Sequence, residues 1–293
     1  MMRALFRSLY RLAAWFLVGT NIQRFEPVRQ LDRWIRRRIR AEFVEIDGSR
    51  YYVDDFDSLN LTILGRYEPI ESALLERVVK PGCVAVDLGA NIGFHTVRMA
   101  RRAGPAGRVY AFEPDPVNFA LLKRNLESNG FAHATPEQRA ISNKKGVLTL
   151  YRCASDPMDH RTHPGDGDRA GIDVEATSLD DYFRDRGTRV DFIKMDVQGA
   201  EIKALNGMRE VIARSPGLEM LVEFWPYGVR QCDESPEHYL EMLQEFGFRL
   251  FGYDETRAEW GPVTSAFLLA TYSDEVLADT TNIWCRRDSA LDT

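Results

Sequence analysis

The chain has 293 residues, 44% of them hydrophobic, which suits one large α/β domain with appendages better than two equal domains. Its net charge of -6 argues against nucleic acid as a partner, because a surface that tracks phosphates needs a basic excess. Cys83, Cys153, Cys232 and Cys285 lie far apart with no C-x-x-C pair, so the sequence carries neither a zinc signature nor a small disulfide framework.

The charge is unevenly spread. Residues 1–40 hold ten Arg and two acids, a balance of +8 that leaves -14 for residues 41–293. Arg3, Arg7 and Arg11 recur every four residues, while Leu5, Leu9, Leu12 and Phe16 follow a helical apolar spacing, so a helix here separates a basic face from an apolar one. The apolar run from Leu12 to Gly19 is too short to span a bilayer, which takes about 20 residues. It resembles a signal peptide, but no small-x-small cleavage site follows it. A second helical stretch sets Val28, Leu31, Trp34, Ile35 and Ile39 on one side, with Arg29, Arg33, Arg36, Arg37 and Arg40 around the rest. Such helices suit an anionic membrane surface, and equally a cap on the domain or a dimer contact. Residues 1–42 are therefore read as a basic helical extension of a domain over 43–293. The expected location is cytoplasmic, peripheral on the inner membrane face if the extension binds lipid.

Phe43 to Ile46 and Tyr51 to Val53 flank Asp47-Gly48, a hairpin signal, and Glu68 to Val79 reads as a helix leading to the turn Lys80-Pro81-Gly82. Short apolar runs then alternate with helical stretches. Val84–Asp87, Val109–Glu113, Asp191–Asp196 and Leu218–Glu223 each end in an acid, and Phe94–Arg102, Asp115–Asn129 and Glu201–Ile212 lie between or beside them. This pattern predicts a mostly parallel, doubly wound Rossmann-like sheet, with Asp87, Glu113, Asp196 and Glu223 converging beyond the strand ends. Val147–Tyr151 and Ile172–Ala176 read as extra strands around the polar stretch 152–171, a surface loop or lid whose His160, His163 and four Asp residues read as solvated.

Between the first of these strands and its helix lies Asp87-Leu88-Gly89-Ala90-Asn91-Ile92-Gly93. Glycine there permits a tight turn and close backbone approach to a ligand. A dinucleotide loop wants G-x-G-x-x-G, and Asn91 stands at its second glycine, which weakens a nicotinamide oxidoreductase reading. An acid at the strand end suits a cationic sulfonium donor, and Glu113 at the next strand end can accept from both ribose hydroxyls.

Val84 to Phe94, Tyr110-Ala111-Phe112-Glu113-Pro114-Asp115-Pro116 and Ile193-Lys194-Met195-Asp196-Val197-Gln198-Gly199-Ala200-Glu201 resemble the FkbM-type methyltransferases. Arg139-Ala140-Ile141-Ser142-Asn143 and Thr177-Ser178-Leu179-Asp180-Asp181-Tyr182 follow in the same order, over roughly residues 65–225. The resemblance implies a class I methyltransferase fold, S-adenosylmethionine as donor, and O-methylation of a sugar, glycan, glycolipid or related natural product. It places the donor against Asp87, Gly89, Ala90, Asn91, Gly93, Glu113, Pro114 and Ala140. Met195 and Gln198 depart from the Ile and Glu more usual there, so any role needing an acid at 198 is dropped.

An alcohol is a poor nucleophile at neutral pH, so transfer to oxygen needs in-line positioning and a base. Asp196 is the first candidate. Lys194 shares its face of the strand and either assists or pairs with a neighbouring acid. His95 could approach the transfer site or pack, and Glu201 suits the helix dipole. Glu223 could complete a carboxylate pair with Asp196, to hold Mg²⁺ or share a proton, although no metal ligand set is assigned. Trp225, Tyr227 and Trp260 could stack on a sugar or belong to the core. An idle donor-binding module serving assembly or membrane recruitment is the alternative, disfavoured by the intact strand-end acids.

Overall fold

A computed structural model describes residues 26–153, 160–164 and 169–287. The first basic stretch, and Asp156, Asp159, Asp166 and Asp168, lie outside these residues. The strands in chain order are β1 (Phe43–Ile46), β2 (Ser49–Tyr52), β3 (Val84–Leu88), β4 (Arg108–Phe112), β5 (Ala134–Glu137), β6 (Ala140–Ile141), β7 (Gly146–Arg152), β8 (Ala170–Thr177), β9 (Phe192–Met195), β10 (Glu219–Phe224), β11 (Arg249–Asp254), β12 (Glu259–Pro262) and β13 (Thr281–Arg286).

Eight of them form one sheet in the order β12-β11-β13-β10-β9-β3-β4-β5. β5, β4, β3, β9 and β10 are parallel, and β13 inserts antiparallel to both β10 and β11. This is the class I methyltransferase arrangement that the motifs implied. Side chains alternate between two cores. Val86 and Leu88 face one with Ile202, Leu205 and Leu243, while Ala85 faces the other with Leu75, Val97 and Leu122. Burial on both faces is why the central runs read as continuous apolar stretches rather than alternating ones.

The hairpin forms as read, with Asp47 at φ 49° and Gly48 at φ 75°, the left-handed pair of a type I′ turn. The single helix expected over Glu201–Ile212 is instead two, Glu201–Asn206 and Arg209–Arg214. Gly207 breaks it, and a Cβ there would collide with the carbonyl oxygen of Ser142. β7 and β8 pair antiparallel and, with β6, make a separate three-stranded sheet.

Helix Glu26–Ile39 carries the described part of the basic extension. Its end packs on the domain: Ile39 is buried, Arg40 Nη1 donates to Val53 O at 3.2 Å, and the Arg37 guanidinium lies 4.7 Å from the Phe56 ring centre. Trp34 remains 56% exposed. No helix among the described residues is long and apolar enough to cross a membrane.

Candidate functional site

The carboxyl ends of β3, β4, β9 and β10 open onto one cavity of about 380 Å³, within the range of small-molecule sites. Asp87, Gly89, Ala90, Asn91, Glu113, Pro114 and Ala140 line it, as do His95, Lys194, Asp196 and Glu223. Gly93 is the exception among the expected residues. It caps helix Phe94–Ala103 at φ 87°, and a Cβ there would come 2.6 Å from Leu122 Cδ1, so its glycine serves helix packing. Gly89 lines the cavity, but its close neighbour is protein: at φ 80°, a Cβ would collide with the carbonyl oxygen of Asp196. The need for glycine at this position thus comes from close approach between the ends of β3 and β9.

Glu113 organises the glycine loop. Its Oε2 accepts from Asn91 N and its Oε1 from Asp115 N, both at 2.8 Å, and burial pushes its carboxyl up to about 8 against those two hydrogen bonds. Each oxygen keeps a second acceptor direction. Asn91 sits at φ 50° with its own side chain accepting from Ile92 N at 2.6 Å. Asn is among the residues that best tolerate this left-handed backbone, which explains its place in the loop. Asp87 is buried, accepts from Thr96 Oγ1 at 2.5 Å, and has its Oδ1 without a partner. An unpaired buried carboxylate oxygen beside a cavity is an acceptor waiting for a donor group. The acidic lining and these open acceptor directions fit S-adenosylmethionine, with its cationic sulfonium, amino group and ribose hydroxyls.

At the other end lies a polar cluster. Asp196 Oδ2 accepts from Lys194 Nζ at 3.0 Å and Oδ1 from Gln198 Nε2 at 2.8 Å. Burial would pull the Lys194 ammonium down, but the charges of Asp196, Glu68 and Asp87 hold it above its ordinary value. Gln198 Nε2 also donates to Glu223 Oε2 at 3.2 Å, and Thr280 Oγ1 donates to Glu223 Oε1 at 3.1 Å. Burial, then the neighbouring Asp196 and Glu201, push Glu223 well above the carboxylate range. Glu201 accepts from Val197 N at 3.1 Å and Gly199 N at 3.3 Å, so it ties the turn after β9 as well as opening the helix.

His95 is buried and its Nε2 lies 2.7 Å from Glu68 Oε2. Burial works against the Glu68 charge, yet His95 and Lys194 hold its carboxyl down at about 2. Nothing in the sequence pattern singled out Glu68. It is a left-handed residue, φ 41°, before Pro69, and it gives helix Pro69–Val78 no side-chain cap. A glutamate in that conformation that forgoes capping is the feature a backbone trace reveals and a composition does not.

The stretch read as a solvated lid differs from expectation where it is described. Tyr151 and Arg161 exchange backbone hydrogen bonds at 2.7 and 3.1 Å, and Arg161 and His163 are buried. Arg152 Nε lies 2.7 Å and His160 Nε2 3.7 Å from Asp115 Oδ2, and His160 and Thr162 form part of the cavity wall. The ring of Trp225 is buried under the Arg161 guanidinium at 4.5 Å, while Trp260 packs on Tyr253 and Trp284 toward the sheet edge. Neither Trp225, Tyr227 nor Trp260 lines the cavity.

A family model described as the methyltransferase FkbM domain matches residues 87–250. The chain is 30% identical over 224 residues to methyltransferase sdnD of Sordaria araneosa, covering 64% of this chain and 81% of that protein. It is 28% identical over 164 residues to the 31-O-demethyl-FK506 methyltransferase FkbM of Streptomyces tacrolimicus, covering 45% and 62%. It is 26% identical over 165 residues to the 2-O-methyltransferase NoeI of Sinorhizobium fredii, covering 50% and 65%. The chain thus spans less than two thirds of the length of the last two.

Proposed function

The chain belongs to the FkbM methyltransferase family, whose donor is S-adenosylmethionine, and we propose that it methylates a hydroxyl oxygen of a sugar, glycan, glycolipid or related natural product. The observation that carries this reading is the Asp196 carboxylate, fixed at a strand end by Lys194 and Gln198 on the wall of a cavity rich in acids. Two of the relatives carry oxygen transfer in their names, which supports the same choice.

The donor supplies an electrophilic methyl on a sulfonium. Asp87 and Glu113 hold its polar groups, with Gly89, Ala90, Asn91, Pro114 and Ala140 shaping the wall around it. Asp196 accepts the hydrogen bond of the acceptor hydroxyl and takes its proton as the O–C bond forms and the C–S bond breaks, with the electron pair leaving on sulfur. Lys194, held charged, fixes the Asp196 rotamer, and the Glu68–His95 pair closes the same side of the cavity. Comparing glycans and lipids of the host with and without the protein by mass spectrometry tests the reading. A methyl group that disappears from a saccharide hydroxyl with the protein supports it, and unchanged saccharides count against it.

Residues 1–42 form, in the same proposal, a basic extension that brings the domain over 43–293 to an anionic membrane. Exposed Trp34 supports this, and burial of Ile39 with the Arg40–Val53 hydrogen bond supports a bracing part for the end of the extension as well.

A further inference from the structure

Two carboxyls from neighbouring strands face one amide. β9 and β10 pair with Met195 opposite Val222, which brings Glu223 beside Asp196, and the single Gln198 side chain donates to both at 3.2 and 2.8 Å. Gln198 reaches them from a backbone at φ 55°, a left-handed conformation that glutamine rarely adopts and that persists only where the surroundings impose it.

The remaining oxygens of the pair are served unequally. Asp196 Oδ2 takes the Lys194 ammonium at 3.0 Å, whereas among the described residues Glu223 Oε1 takes the neutral Thr280 hydroxyl at 3.1 Å. Among the described residues, the carboxyl of Glu201, at the start of the next helix, and the phenols of Tyr67 and Tyr239 also lie near Glu223, Tyr239 donating to Glu223 O at 3.1 Å. None of these supplies a positive charge. Two neighbouring, partly buried carboxylates each raise the cost of ionising the other. Lys194 compensates one of them, and it stands on the Asp196 side.

We propose that Lys194 sorts this pair, holding Asp196 as the ionised hydroxyl acceptor and leaving Glu223 a neutral acid beside it, while Gln198 is the positioning residue that keeps the two carboxyls together. A neutral amide can bridge both carboxyls without cancelling either charge, so the proton goes to the member that lacks the ammonium. The burial-driven rise of Glu223 runs in the same direction. The part played by Asp196 rests on the oxygen-methylating reading; the placement of the proton does not.

Infrared pH titration of the full chain tests this. Protonated carboxyl absorption at neutral pH has contributions from buried groups such as Glu113, so the Glu223 component is the part removed by Glu223→Gln. That component should persist in Asp196→Asn with a lower midpoint, because a repelling charge is gone. In Gln198→Asn the midpoint should move up by about one pH unit or more. Asparagine is chosen because it tolerates the left-handed backbone yet falls one methylene short of both carboxyls. Calorimetry with S-adenosylhomocysteine checks that each variant is folded. Loss of the component in Asp196→Asn rather than in Glu223→Gln would place the proton on Asp196 and overturn the inference. An unmoved midpoint in a folded Gln198→Asn would do the same, and the first comparison stands even if that variant fails to fold. A methyl found on nitrogen would sink the oxygen reading and leave these spectra untouched.

Discussion

Glu113→Ala tests the proposed ribose acceptor apart from the rest of the site. The wild-type carboxyl already accepts two backbone amides at 2.8 Å, and in the proposed site the second acceptor direction of each carboxylate oxygen takes a ribose hydroxyl. A hydrogen bond to a charged group is worth about 1.5–3 kcal/mol. Losing even one at the lower figure weakens binding slightly more than tenfold, since each tenfold is about 1.4 kcal/mol. The pH dependence adds a second signature. Burial holds Glu113 at about 8 in the free protein, while hydroxyl donors favour its ionised form, so binding expels a proton below that value. Affinity should therefore rise as pH is raised toward about 8 and then level off, and the alanine variant should lose this slope. The stability linkage has the opposite sense. A folded value above the ordinary 4.5 means the folded state binds the extra proton, so the contribution is present below 4.5 and is lost as pH rises through about 8. Calorimetric titration with S-adenosylmethionine in matched buffers, with circular dichroism confirming the fold at each pH, reads both effects. Unchanged affinity, or the same slope in the variant, would refute the assignment.

Asp196→Asn should keep donor affinity within a few-fold and lower methyl transfer by about 10²–10⁴, the range for a positioned base; equal losses in both measurements would move Asp196 to the donor site. Gly89→Ala should lower the melting temperature markedly, because its Cβ meets the Asp196 carbonyl rather than open cavity, and a variant as stable as wild type would contradict that close approach. A chain beginning at Ala41 should sediment less with anionic liposomes at low salt while still binding donor. It should also melt lower through loss of the Ile39 and Arg40 contacts, and equal sedimentation would leave the extension a packing role alone.

Four strands of the central sheet were legible because each is a short apolar run with an acid at its end, and an ionisable group that interrupts such a run has to sit where it can be solvated or bound. That logic located Asp87, Glu113, Asp196 and Glu223 at one crevice. It could not supply what depends on three-dimensional approach. The glycines at 89 and 93 looked alike in sequence, yet one meets the end of β9 and the other a helix. β13 returns antiparallel between β10 and β11 with no turn signal close enough to mark it. Glu68 reaches the site through an uncommon backbone conformation, and Thr280 through the segment before β13. Trp225 reads equally as a stacking platform or as core, and only the Arg161 guanidinium over its buried ring decides between them.

The most direct test of the account is transfer of a labelled methyl group from S-adenosylmethionine by the purified protein to a saccharide and glycolipid extract, with the labelled atom located by tandem mass spectrometry. Label is expected on a hydroxyl oxygen of a saccharide-bearing species, lost in Asp196→Asn although that variant still binds donor. Label confined to nitrogen or carbon, or full labelling by Asp196→Asn, would contradict it.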